Sequence, residues 1–179
     1  MMTLYIDFDG VILDTIPVLN KALIDNNVDL TNALEIREFF SKLDWKRVVE
    51  TTPQLNDSIE CIKRVIKSDR YDEVKVLTHV NSENEIKVKK EYINSYIPNL
   101  EVIGVPKTIK KNNFFDNINN SILIDDYAHN LDEWHNAGGI SIKFGTTDKE
   151  SDYPKISRID QILNIEIDRR DYARHLSKY

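Results

Sequence analysis

Leu4-Tyr5-Ile6-Asp7-Phe8-Asp9-Gly10 is the stretch on which the fold turns. Its first part is a short β-prone run, and it ends in acid and glycine, as a strand does where it passes into a loop. Working outward, Ile16, Leu19, Leu23 and Ile24 follow at i, i+3, i+7 and i+8, the spacing of an amphipathic helix. Pro17 falls in its first turn, where a missing N–H costs little. From Thr31 to Ser68 the periodicity predicts only helices: one near 33–43, a short one at 45–49, and one carrying Ile59, Ile62, Val65 and Ile66. Val74-Lys75-Val76-Leu77-Thr78 reads as a second strand. Ser82-Glu83-Asn84-Glu85 reads as a capping box for a helix that Pro98 closes after Tyr96. Three further strands are expected at 100–105, 121–125 and 140–144. A helix over 128–136 joins the last two, with Gly138 at its C-terminal cap.

Strands alternating with helices imply a parallel sheet with right-handed crossovers, an α/β class. The stretch between strands one and two is helical and too long for a simple crossover. It is read as a small cap over 14–72, inserted into a core made of 1–13 and 73–179. Ligands of open α/β sheets bind outside the carboxyl ends of the strands. Four strands end there in polar or charged groups: Asp7, Thr78, Pro106-Lys107 and Asp125-Asp126.

Those residue types suit phosphoryl chemistry. Asp7 and Asp9 lie two apart at a strand end, and Gly10 permits a sharp turn after them. A hard divalent cation takes several oxygen ligands, which carboxylates and a backbone carbonyl supply. A carboxylate beside such a cation can attack phosphorus. A second can protonate the departing alcohol and then activate water. Thr78 offers a hydroxyl and an N–H to phosphate oxygens. Lys107 offers a positive charge to phosphoryl group and nucleophile.

Asp7-Phe8-Asp9-Gly10-Val11-Ile12, Thr78, Lys107 and Asp125-Asp126 resemble the four motifs of the haloacid-dehalogenase-like hydrolase superfamily, over 3–144. The resemblance implies a Rossmann-like sheet with the nucleophile on a central strand under a cap. It implies Asp7 as nucleophile and magnesium ligand, and Asp9 as acid/base that also gives its carbonyl to the metal. It further implies Asp126 as the direct metal ligand, with Asp125 in support. The presence of Asp9 points to phosphatases rather than dehalogenases. Ile122-Leu123-Ile124-Asp125-Asp126 with Asn130 and Trp134, and Pro106-Lys107-Thr108, are similar to the deoxyribonucleotidase and 5′-nucleotidase branch. The expected substrate is thus a nucleotide or similar small phosphate ester.

Other readings stand beside this one. Asp125-Asp126 also suits a helix N-terminus, and Thr78 a turn. His79 is a candidate substrate contact and, more plainly, an exposed loop histidine. Lys110 and Lys111 lie close to Lys107, while Lys87, Lys89 and Lys90 are read on an exposed helix. Phe39, Phe40 and Trp45 suit core packing more than stacking on a base. Cys61 reads as a small buried hydrophobe. The tail Arg169-Arg170-Asp171-Tyr172-Ala173-Arg174 reads as a solvated helical end.

With 41% hydrophobic and 30% charged residues the chain is globular, and its formal net charge of -6 disfavours a nucleic-acid duplex as partner. A polynucleotide-end phosphatase and a non-catalytic binding module are the alternatives to a small-molecule enzyme. A single cysteine, no basic leader and no long apolar run fit a cytoplasmic protein without a membrane span.

Overall fold

β1 (Thr3–Ile6) lies between β2 (Glu73–Val80) and β4 (Ser121–Asp125), parallel to both, with Ile6 opposite Val76 and Ile124. β3 (Val102–Pro106) extends the sheet beyond β2. β5 (Ile140–Phe144) and β6 (Lys155–Ile156) extend it beyond β4. The result is a six-stranded sheet of order β3-β2-β1-β4-β5-β6, all parallel, the Rossmann-like α/β architecture expected. The computed structural model describes residues 1–145, 147 and 150–167. The arginine-containing tail, 169–174, falls outside the described residues.

Alternation along the strands divides the apolar residues between the two faces. Leu4, Ile6, Val76, Ile122, Ile124 and Ile142 share one cluster with Ile59, Ile62 and Val65. Tyr5, Leu77 and Leu123 share another with Leu131 and Trp134. Burial on both faces is why these strands read as nearly unbroken apolar runs.

The helices are α1 (Thr15–Asp25), α2 (Ala33–Lys42), α3 (Trp45–Thr51), α4 (Ser58–Lys67), α5 (Glu83–Tyr96) and α6 (Ala128–Asn136). Gly138 follows α6 at φ +93°, a left-handed conformation that ends the helix. At α5, Ser82 Oγ accepts from Glu85 N at 3.2 Å, but Glu85 reaches back one residue further than a capping box requires. Its Oε2 accepts from Asn81 N at 2.8 Å, which leaves Oε1 directed inward.

The helical stretch between β1 and β2 separates by its packing. Leu19, Trp45 and Val48 form a third cluster with Phe40 and Leu43, seated on Val88 of α5. The apolar residues of α4 instead join the sheet cluster. The span 14–72, read as one insertion, therefore contains a helix that the sheet itself buries. Cys61, on α4, is fully buried, as a small hydrophobe would be. Among the described residues no helix is long and apolar enough to cross a membrane.

Trp45 is 1% exposed and its Nε1 donates to Phe40 O at 2.8 Å. Both ring and N–H are spent inside the protein, so Trp45 is a core residue. Trp45→Ala is expected to cost about 3–5 kcal/mol in urea unfolding, and Phe39→Ala, on a half-buried side chain, much less. Equal stability for the two variants would contradict this packing.

Candidate active site

β1 delivers Asp7 to the carboxyl edge of the sheet, where its N–H still bonds Ile124 O at 2.9 Å. The chain then turns back on itself. Ile12 N and Leu13 N both donate to Phe8 O, and Gly10 sits at φ +72°. Glycine is needed there for a second reason: a Cβ on Gly10 would lie 2.3 Å from Asp126 Oδ2. The turn after β1 and the end of β4 therefore approach too closely for any side chain between them.

Four acidic residues converge at this edge and their environments differ. Asp125, fully buried, is saturated. Its Oδ1 accepts from Tyr127 N at 2.8 Å, and its Oδ2 accepts from Lys111 Nζ at 2.7 Å and Asn130 Nδ2 at 2.9 Å. Asp126 has its backbone carbonyl bonded by Lys143 Nζ, and its carboxylate lies against Gly10. Asp7 pairs with Lys111 Nζ at 2.8 Å through Oδ1, yet that oxygen has no aligned hydrogen-bond donor. Burial pushes the Asp7 carboxyl up to about 7. Lys111 opposes the rise, while Asp125, Asp9 and Asp126 add to it. Burial and then Asp125 likewise push Asp126 up to about 6.

Asp9 faces a different set of partners. Its Oδ1 accepts from Thr15 Oγ1 at 2.8 Å and its Oδ2 from Lys89 Nζ at 2.6 Å. Lys89, read from the sequence on an exposed helix, is instead wholly buried. Its ammonium also bonds Glu85 Oε1 at 2.7 Å and Thr78 Oγ1 at 3.1 Å, and lies 5.2 Å and 5.0 Å from the ring centroids of Phe8 and Trp45. The reason is helical periodicity. Glu85, Lys89 and Ile93 fall on the one face of α5 that is buried, while Lys87 and Lys90 face solvent. Thr78 is fully buried, with its Oγ1 3.4 Å from Asp9 Oδ2.

The cation expected beside Asp7 also changes identity. Lys107 is exposed, its N–H bonded to Val80 O as the chain leaves β3. Ile109 N then bonds Pro106 O, so the loop turns over the surface. A single 3-10 turn at Asn112–Phe114 swings Lys111 inward. Lys111 is thus the ammonium against Asp7 and Asp125; burial alone would lower its pKa, but the two carboxylates outweigh that and hold it above the ordinary lysine value. His79 is half-buried rather than exposed. Burial, then Lys111 and Lys107, lower it to about 4, so its ring is neutral at pH 7. The contact of Nε2 with Ile109 O at 3.0 Å requires that nitrogen to carry the proton. The bond ties the end of β2 to the loop that carries Lys107 and Lys111.

The residues present fit a divalent cation. Carboxylate oxygens of Asp7, Asp125 and Asp126 lie within 4.8 Å of one another, and those of Asp125 are already taken by Lys111, Asn130 and Tyr127, which leaves Asp7 and Asp126 to the cation. Negative charge exceeds what Lys111 neutralises, and Asp7 Oδ1 is an oxygen without an aligned donor. An all-oxygen donor set is that of magnesium or calcium rather than zinc. The Asp9 carboxylate, by contrast, is engaged by Thr15 and Lys89, so only its main chain is left for a metal.

Over this edge opens a cavity of about 690 Å³, with Asp7, Asp9 and Asp126 at its floor and residues of α1, α2 and α3 as its wall. Its size is that of a pocket for a small organic ligand. His79 and Lys107 also line it.

Comparison with solved structures finds the same fold at low identity. A hydrolase from Pseudomonas syringae aligns with a TM-score of 0.65 and 11% identity, covering 92% of this chain and 97% of that one. A haloacid dehalogenase-like family protein from Streptococcus pneumoniae gives 0.58 and 10%, with coverage of 92% and 97%. A HAD phosphatase from Thermococcus onnurineus gives 0.53 and 11%, with coverage of 92% and 97%. No protein-family model and no curated protein sequence matches the chain. At these identities the likeness is one of fold, and the chemistry has to be argued from the site.

Proposed function

We propose that this protein is a magnesium-dependent phosphomonoesterase with Asp7 as nucleophile. The observation that carries the reading is the convergence, at the floor of one cavity, of Asp7 with a buried lysine, Lys111, and a surplus of carboxylate charge. Structural neighbours described as hydrolases and a phosphatase support it. The helices α1–α3 serve as the cap.

The chemistry runs in two steps. An Asp7 carboxylate oxygen attacks phosphorus while the bond from phosphorus to the ester oxygen breaks, and Asp9 gives the leaving alcohol its proton. Water then attacks the phosphorus of the aspartyl phosphate, Asp9 takes the water's proton, and inorganic phosphate leaves as the Asp7 carboxylate is restored. Lys111 holds Asp7 in place and faces the developing phosphoryl charge, while Thr78, expected from the sequence to contact phosphate, is fully buried off the cavity and its hydroxyl supports Asp9 and Lys89 instead. The Asp7 and Asp126 carboxylates and the Asp9 carbonyl would hold magnesium, which supplies positive charge to the phosphoryl oxygens. Asp125 is too fully bonded to be a free ligand, and its part is to orient Lys111 and Asn130. Lys107 and His79 remain candidates for contact with the substrate from the cavity rim. The alcohol is a nucleoside or a group of similar size, which the cavity volume and the half-buried Phe40 on its wall favour.

Chelation tests the metal. Turnover of phenyl phosphate or a mononucleotide is expected to stop in excess chelator and return with magnesium; full activity in chelator would refute the reading. Protons should compete for the same oxygens. In the metal-free protein Asp7 is raised from 3.8 to about 7. Its contribution to stability is thus complete below 3.8 and lost as pH rises through about 7. The metal-free protein is therefore expected to melt at a higher temperature at pH 5 than at pH 8, with magnesium offsetting the difference at pH 8. The same melting temperature with and without magnesium at pH 8 would contradict the account.

A further inference from the structure

Two helical faces form the wall opposite the carboxylates, and both follow the same spacing. Ile16, Leu19, Asn20 and Leu23 of α1 lie at i, i+3, i+4 and i+7, and so do Ala33, Ile36, Arg37 and Phe40 of α2. Each helix thus turns one whole face to the cavity, apolar except at its second turn. α2 has no fully buried residue: Phe40 packs on the Leu19–Trp45–Val48 cluster at one end, while the rest of the face stays at the cavity. Arg37 stands in the middle of that face. Its Nε donates to Ala33 O at 3.2 Å; among the described residues its terminal nitrogens make no hydrogen bond, and no carboxylate pairs with it.

That is an unusual position for an arginine in a chain of net charge -6. Its neighbours on α2 show what would be ordinary. Glu38 and Lys42 pair with each other at 2.6 Å across the solvent-facing side. Arg37, half-buried as a residue and lining the cavity beside Ile36 and Phe40, keeps its two terminal nitrogens as free donors, the planar pair that can receive an oxyanion through two parallel bonds. Lys107, the other cation on the cavity, is exposed to water and holds an anion far less firmly.

We propose that Arg37 selects substrates whose alcohol portion carries a second oxyanion, a carboxylate or a further phosphate, on an otherwise apolar body. The inference rests on the phosphomonoesterase reading. It adds that the cap recognises charge, with the apolar faces of α1 and α2 enclosing the body between the two anions.

The test compares matched esters on the full-length protein with magnesium. Phenyl phosphate is paired with its 2-, 3- and 4-carboxy derivatives, and adenosine 5′-monophosphate with adenosine 3′,5′-bisphosphate. The first pairing reads a carboxylate and the second a phosphate. Wild-type kcat/KM is expected to favour the extra anion in at least one pairing by roughly tenfold or more, the worth of one charge-assisted contact. In Arg37→Met that ratio should fall to about one, while Arg37→Lys should keep part of it. A ratio of one or less in every wild-type pairing, or a ratio that survives in Arg37→Met, would overturn the proposal and leave the phosphatase reading standing. Absence of magnesium-dependent hydrolysis of every ester would sink both together.

Discussion

Lys111→Ala is expected to remove most phosphatase activity, by about 10²–10³-fold in kcat, the scale seen when one fixed electrostatic contact to a developing charge is lost. It should also lower stability, because Asp7 and Asp125 are then left buried without their cation. Lys107→Ala should do neither. Its side chain is exposed, and a surface substitution of this kind changes stability by about 0.5 kcal/mol at most. Measuring kcat and the urea midpoint for both variants separates the two lysines. Retained activity in Lys111→Ala with a large loss in Lys107→Ala would reverse the assignment.

The second large effect lies at Lys89. Its ammonium holds Asp9 at 2.6 Å and Thr78 at 3.1 Å, and it is itself held by Glu85 at 2.7 Å. If Asp9 is the acid/base, Lys89 acts through it by fixing its carboxylate. A general acid or base contributes about 10²–10⁴-fold, so loss of its orientation is expected to cost a large part of that. Lys89→Met should therefore lower kcat by about 10²-fold with little change in KM. Because Lys89→Met strands the buried Glu85 carboxylate, the Glu85→Gln/Lys89→Met double variant serves as the folded control and should show the same kcat. The diagnostic is coupling. Asp9→Asn/Lys89→Met should be no slower than Asp9→Asn alone, since both remove one function. Multiplying losses would show that Lys89 acts independently of Asp9.

These two lysines also mark what a one-dimensional reading misses. The sheet was legible because its strands are buried on both faces and so carry their pattern in their own composition. Leu4 to Ile6, Val76 and Leu77, and Ile122 to Ile124 leave no polar break. Helix ends were legible where a side chain or glycine sets them, as at Ser82 and Gly138. β6 is two residues long, and the 3-10 turn at Ile159–Asn164 is shorter than any helical period can reveal. The expectation of a cap running to Asp72 took α4 with it, because an amphipathic helix shows that it has a buried face but not which cluster buries it.

The carboxylates followed the strands and were foreseen as a group. Their cations were not. Lys89 and Lys111 are buried because of charges that reach them from 80 and 14 residues away. The one local signal was the i, i+4 pair Glu85 and Lys89, in step with Ile93. Lys111 had no such signal, since the loop that turns it inward is irregular and carries Lys107, Lys110 and Lys111 in close succession.

The central claim is that phosphorus becomes bonded to Asp7, and one measurement reaches it directly. Asp9→Asn is given an aryl phosphate whose acidic phenol departs without a proton donor, so the first step survives. The second step still needs a base to activate water, and no leaving group compensates for that loss. Rapid acid quench followed by mass spectrometry of the intact protein and its peptides is expected to find one added phosphate, mapped to Asp7. The same experiment on Asp7→Asn should find none. Phosphate attached to another residue, or steady turnover by Asp7→Asn, would contradict the account.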